Sequence, residues 1–101
     1  MGDDEIEQEI LDKGLTAARL TPTRVNSLVV NEQYHVFDGT TVTVCCLTLE
    51  NGFAVVGESA PVSPENFDAE LGRKIAYQSA RDKIWALEGY LLKQRLYDDT
   101  R

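Results

Sequence analysis

This sequence has no long apolar run and few of the residues that build catalytic or metal sites. No apolar stretch among its 101 residues approaches the roughly 20 residues that a membrane-spanning helix needs. The single histidine, His35, and two cysteines provide too few ligands at suitable spacing for a zinc site. We therefore expect a protein that does not cross a membrane and binds no metal.

The two cysteines are neighbours, Cys45 and Cys46. Side chains of adjacent residues in a strand point to opposite faces of the sheet, so a disulfide between them would need unusual geometry. Free thiols fit a reducing compartment, and we predict a cytoplasmic protein. We interpret both cysteines as small apolar residues rather than as redox or ligand groups.

Catalytic signatures are also missing. The segment Gly57-Glu58-Ser59-Ala60 lacks the final glycine of a nucleophile elbow. Phosphate-binding glycine loops, the dinucleotide fingerprint and the zinc-protease motif are absent. A nucleophilic pair of His35 with a cysteine has no motif to support it. We predict a non-enzymatic protein with no catalytic residues and no cofactor, and a small hydrolase is the alternative.

Negative charge is concentrated at the N-terminus of the chain. The formal charge is −7, and residues 1–13 contain six acids and one lysine. The overall sign disfavours direct binding to nucleic acid phosphates. The acidic segment has two interpretations: a solvated arm, or a DNA mimic that inhibits a DNA-binding protein.

The length fits one domain, and the pattern predicts an α+β fold. We divide the chain into an acidic N-terminal segment (1–20), a single α+β domain (21–96) and a flexible tail (97–101). Residues 4–13 have the spacing of a short acidic helix. Thr21-Pro22 is a helix start with a cap followed by proline, and we predict a helix from there to about residue 33 and a loop at 34–39.

The centre of the chain predicts a two-stranded antiparallel β-hairpin. Residues 40–49 are β-branched and apolar, Asn51-Gly52 is typical of a two-residue turn, and residues 53–58 form the returning strand. This register gives the hairpin two apolar faces, whereas a half-solvated hairpin would alternate apolar and polar residues. The hairpin should therefore lie between helices or pair with another copy, and we expect a homo-oligomer.

A long C-terminal helix follows. Ser63-Pro64-Glu65 is its predicted start, its apolar stripe continues to about Leu96, and Gly89 favours a bend near residues 82–90. The core predicted from all these elements is Val25, Leu28, Val44, Leu47, Leu49, Val55, Val56, Phe67, Leu71, Ile75, Ile84, Leu87 and Leu91.

One face of the long helix is a candidate ligand site. Arg73, Tyr77 and Arg81 are each four residues apart, and Lys74 lies beside Arg73. Guanidinium groups around an aromatic ring suit a planar anionic ligand such as a nucleotide. The alternative is a solvated basic face, which acidic residues of the same helix balance.

Several strings of this sequence resemble a family of small proteins from tailed bacteriophages and prophages, named after phage gene products forty-nine and sixty-six. They are the turn Asn51-Gly52-Phe53, the segment Gly57 to Ala60, the helix start Glu65 to Ala76 and the segment Ile84 to Leu92. The similarity covers roughly residues 20–96. It implies a phage or prophage origin and action in the bacterial host. By analogy with other small phage proteins, we expect a host bacterial protein as partner.

Overall fold

A three-stranded antiparallel sheet stands at the centre of the fold. A computed structural model describes residues 2–15 and 17–100. Its elements, in chain order, are α1 (Asp3–Asp12), α2 (Pro22–Leu28), β1 (Val29–Val36), β2 (Thr43–Leu49), β3 (Ala54–Ser59), a 3₁₀ turn (Pro64–Asn66) and α3 (Ala69–Asp99). The strands lie in the order β1-β2-β3. The α+β class is confirmed, but the prediction of a two-stranded hairpin is wrong because it lacks β1.

β1 occupies residues for which the sequence pattern predicts the end of a helix and a loop. α2 begins as predicted, with the Thr21 hydroxyl accepting a hydrogen bond from the Arg24 N–H, but it ends at Leu28. The chain then pairs with β2 along its free edge, where Tyr34 lies opposite Cys45. Pairing with a distant strand therefore outweighs the local preference of residues 29–33, which a helical pattern could not reveal.

The turn between β2 and β3 is one residue longer than predicted. The Leu49 N–H donates to the Phe53 carbonyl at 2.8 Å, which leaves three residues in the loop, and Gly52 takes the left-handed conformation (φ 89°). Three-residue loops with glycine at this position are common in hairpins. A one-residue change of register exchanges the two faces of a strand. Val55 is consequently buried, while Val56 faces outward.

α3 covers one face of the sheet through small residues. The buried positions of α3 are Gly72, Ala76, Ala80, Arg81 and Ile84. Gly57 of β3 lets the helix backbone come close, since a Cβ atom there would lie 2.7 Å from the carbonyl carbon of Ser79. The fully or largely buried apolar residues are Val25, Leu28, Cys45, Leu47, Leu49, Val55, Ala76, Ala80 and Ile84.

Several predicted core residues therefore lie outside the core. Val44 is half-buried, and the exposed ones are Val56, Phe67, Leu71, Ile75, Leu87 and Leu91. Leu71, for example, keeps 54% of its surface exposed. The predicted core takes the large side chains of the helical stripe, but the close approach of α3 to the sheet buries small ones such as Ala76 and Ala80, one position further along.

α3 is one uninterrupted helix, so it contains no break near residues 82–90. The helix also begins later than predicted, because the Asp68 carboxylate caps it by accepting a hydrogen bond from the Leu71 N–H at 2.9 Å. It continues through Asp99, into the predicted tail, whose last residue, Arg101, lies outside the described residues, as do Met1 and Thr16 of the N-terminal segment.

Candidate functional site

The predicted ligand residues of α3 are divided between two environments. Arg73, Lys74 and Tyr77 line a shallow cleft of about 440 Å³ between α3 and β1. Arg81 does not line this cleft, and its side chain is buried with 5% exposed. The structure thus brings three of the four predicted residues together and places the fourth apart from them.

Arg81 is engaged by three other groups of the chain. It forms an ion pair with Asp3 of α1 at 2.5 Å, and its Nε donates a hydrogen bond to Asn26 Oδ1 of α2 at 2.9 Å. Its guanidinium carbon lies 5.7 Å from the centre of the Trp85 ring, a cation–π distance. Arg81 therefore holds α1, α2 and α3 together, and this use of its charge competes with binding an external anion.

Carboxylates reduce the positive charge of the cleft. Glu32 and Glu70 line it, and the Lys74 ammonium lies 3.4 Å from Glu70. Tyr34 of β1 also lines the cleft, and its hydroxyl donates a hydrogen bond to Glu32 at 3.3 Å. Burial, followed by the nearby Cys45 and Glu32, raises the pKa of Tyr34, so its hydroxyl stays neutral. Among the described residues that line the cleft, Arg73 is then the main group that would attract an anion.

The cysteines lie on opposite faces of the sheet, as predicted, and both are free thiols. Cys45 is buried under α3, and burial raises the pKa of its thiol. Since the thiolate is the reactive form, this shift works against a nucleophilic role. Cys46 is half-buried on the other face.

Within residues 2–15 and 17–100, His, Cys, Asp and Glu side chains form no group of three that could hold a metal ion. None of the described helices combines the length and the apolarity that crossing a bilayer requires.

The second face of the sheet carries apolar residues that no described element covers. Along β2 and β3, the residues that point away from α3 alternate with the buried ones. We call their apolar members the outer sheet face: Phe37, Val42, Val44, Cys46, Ala54 and Val56. Phe37 and Val56 keep 49% and 45% of their surfaces exposed, respectively.

The outer sheet face is ordered and has a polar border. Phe37 and Val42 are joined by a hydrogen bond from the Phe37 N–H to the Val42 carbonyl at 3.3 Å. The Phe37 ring packs edge-to-face on His35, with ring centres 4.6 Å apart. Gln33 of β1 lies opposite Cys46, and Glu58 of β3 lies opposite Val44. An apolar centre inside a polar rim is typical of protein-binding surfaces.

A second apolar surface follows from the length of α3. Its 31 residues span about 46 Å at the usual helical rise, far more than strands of six to eight residues. The last turns therefore pass the β2–β3 turn, where Phe53 and the exposed Leu87, Tyr90 and Leu91 border a groove of about 400 Å³. The sequence pattern showed the apolar residues of both surfaces but not which of them would stay uncovered.

A model of the phage protein (N4 Gp49/phage Sf6 gene 66) family matches residues 20–96. The chain matches no curated protein and no solved structure. The matched residues are the same as those of the resemblance noted in the sequence, which the match confirms. They include α2, the three strands and most of α3, but not α1. The chain therefore belongs to the phage protein (N4 Gp49/phage Sf6 gene 66) family.

Proposed function

We propose that this phage-family protein is a non-enzymatic accessory protein that acts in the cytoplasm of the bacterial host by binding a host protein. The outer sheet face carries the proposal as the binding surface. It presents half-exposed Phe37 and Val56 together with Val44 and Cys46 on a hydrogen-bonded sheet. An exposed apolar patch of this kind is often the functional surface of a small protein.

The outer sheet face is smaller than the surface that each partner buries in a stable complex. Three strands at a spacing of about 4.8 Å and roughly seven residues of about 3.4 Å each give a face of a few hundred Å². A stable complex buries about 800 Å² on each partner. The partner must therefore extend beyond the outer sheet face, either along an edge strand or onto the projecting end of α3.

Affinity capture from bacterial lysate tests the proposal with a matched pair of variants. Val56→Lys places an ammonium group on the outer sheet face, where the long side chain keeps its charge in solvent and leaves the fold intact. Val62→Lys makes the same change at a fully exposed valine outside the sheet. We expect the wild type and Val62→Lys to retain one host protein in near-equal molar amount, and Val56→Lys to retain at least about tenfold less.

Three results would contradict this proposal. Equal retention by Val56→Lys would remove the outer sheet face from the interaction. A doubled molar mass by light scattering that Val56→Lys abolishes would assign the face to another copy, the homo-oligomer expected from the sequence. A co-purifying nucleotide without any protein would favour the alternative site at Arg73, Lys74 and Tyr77.

The DNA-mimic alternative has less support, because Asp3 and Glu7 already form ion pairs within the chain.

A further inference from the structure

α1 lies in a groove formed by residues that follow it in the chain and is held there by charge. The groove is formed by Arg19, Leu20, Pro22, Asn26, Arg81 and Trp85, and we call it the α1 groove. The residues of α1 that meet it are Asp3, Ile6, Glu7 and Ile10. Their spacing of three, four and seven residues is that of a single helix face, as in helix-in-groove recognition.

The charges of α1 and its groove are complementary. Arg81 pairs with Asp3, and Arg19 binds both carboxylate oxygens of Glu7, with one N–O distance of 2.9 Å. Asp3 and Glu7 lie about one helical turn apart. Ile6 and Ile10 are also one turn apart, and they line a gap beside Trp85. A buried cation such as Arg81 is strongly destabilising without a partner charge. The groove therefore selects a helix that brings a carboxylate to Arg81.

α1 occupies this groove loosely. None of its residues is buried, and its N-cap residue, Gly2, provides no side-chain hydrogen bond. A gap of about 270 Å³ lies between Ile6 and Ile10 on one side and Leu20, Pro22 and Trp85 on the other. A helix of ten residues is marginal on its own. α1 also lies outside the region that the family model matches. Its docking should open at a low free-energy cost.

We propose that the α1 groove is a binding site for an acidic amphipathic helix of another protein, with α1 as its internal competitor. The partner helix carries an acid at the first position, aliphatic residues at the fourth and eighth, and an acid at the fifth. This pattern repeats Asp3, Ile6, Glu7 and Ile10, and the larger apolar residues that the gap accepts would strengthen it. The site is distinct from the outer sheet face, so each proposal can fail alone.

A labelled peptide with the sequence of residues 2–13 tests this site on the full-length chain. It is cross-linked between positions 8 and 12, whose side chains hydrogen-bond to each other on the solvent side of α1. The receiving proteins are the wild type and the double variant Asp3→Asn/Glu7→Gln, whose own α1 has lost both ion pairs. We expect the double variant to bind the peptide about tenfold more tightly, because a larger fraction of its grooves is open.

Two controls make the result specific. A peptide with serine in place of both isoleucines should bind neither protein, and Arg81→Gln in the double variant should abolish binding while circular dichroism shows an intact fold. Equal affinity of the wild type and the double variant, or no binding to the double variant, would overturn the proposal. A dimer of the wild type that the two α1 substitutions dissociate would also overturn it, because a second copy's α1 would then fill the groove.

Discussion

At the scale of single residues, the fold depends on positions where a side chain is missing. Gly57 faces the backbone of α3, and a Cβ atom there would overlap the nitrogen of Ala80 and the carbonyl oxygen of Ala76. Ala76 and Ala80 complete this contact from the helix side, and Gly72 of α3 faces Thr43 of β2. The close packing that results explains why larger apolar residues of α3, such as Ile75, remain at the surface.

Replacing Gly57 by alanine should therefore lower the free energy of unfolding by about 2–3 kcal/mol, because backbone atoms of α3 must move to accept one methyl group. Gly89→Ala is the matched control. It adds the same methyl group within α3 where no atom lies within 4 Å, and it should raise stability by about 0.5–1 kcal/mol through helix propensity. Urea denaturation of both variants measures the difference, and equal effects would contradict the close packing.

At the scale of elements, α1 is the least firmly attached helix. Hydrogen bonding to Arg19, followed by its positive charge, lowers the pKa of Glu7 below the usual 4.5, while burial opposes the shift. A carboxyl group whose pKa is depressed in the docked state stabilises docking at a pH above its ordinary pKa. This contribution is lost as the pH falls through the docked-state value.

Docking of α1 should consequently be independent of pH between about 5.5 and 8 and weaken below about pH 4.5. Trp85 is the only tryptophan and lies beside α1, so its fluorescence reports the change. Glu7→Gln should already show part of the acid-induced change at pH 7, whereas Glu9→Gln, whose ion pair is with the neighbouring Lys13, should behave like the wild type. Identical pH profiles for all three proteins would contradict the assigned role of Glu7.

Helices and strands were predictable where neighbouring residues in the sequence determine them. Thr21-Pro22 marks the start of α2, and the β-branched run from residue 43 forms the central strand. β1 was missed because its residues become a strand by pairing with β2. The register was missed because Asn51-Gly52 suits both two-residue and three-residue loops. For the candidate ligand site, the spacing of the residues showed that they share α3. It could not show that Arg81 is buried and paired with Asp3, which is far away in the sequence.

At the scale of the whole molecule, the fold is asymmetric. α3 covers one face of the sheet, and no described element covers the other. The longest extent of the molecule is 53 Å, against 20 Å across its thinnest direction. Apolar groups therefore remain exposed over a thin, elongated body. This arrangement favours a protein that covers its exposed apolar residues by binding a partner. Our central claim is that the outer sheet face is the binding surface.

Alkylation of Cys46 tests that claim most directly. Cys46 lies half-buried on the outer sheet face, and Cys45, buried under α3, is its internal control. The partner captured from lysate is added, iodoacetamide follows, and mass spectrometry measures the rate at each cysteine. Our account predicts that only Cys46 reacts in the free protein and that the partner slows its reaction at least about tenfold. An unchanged rate at Cys46 in the complex would contradict it.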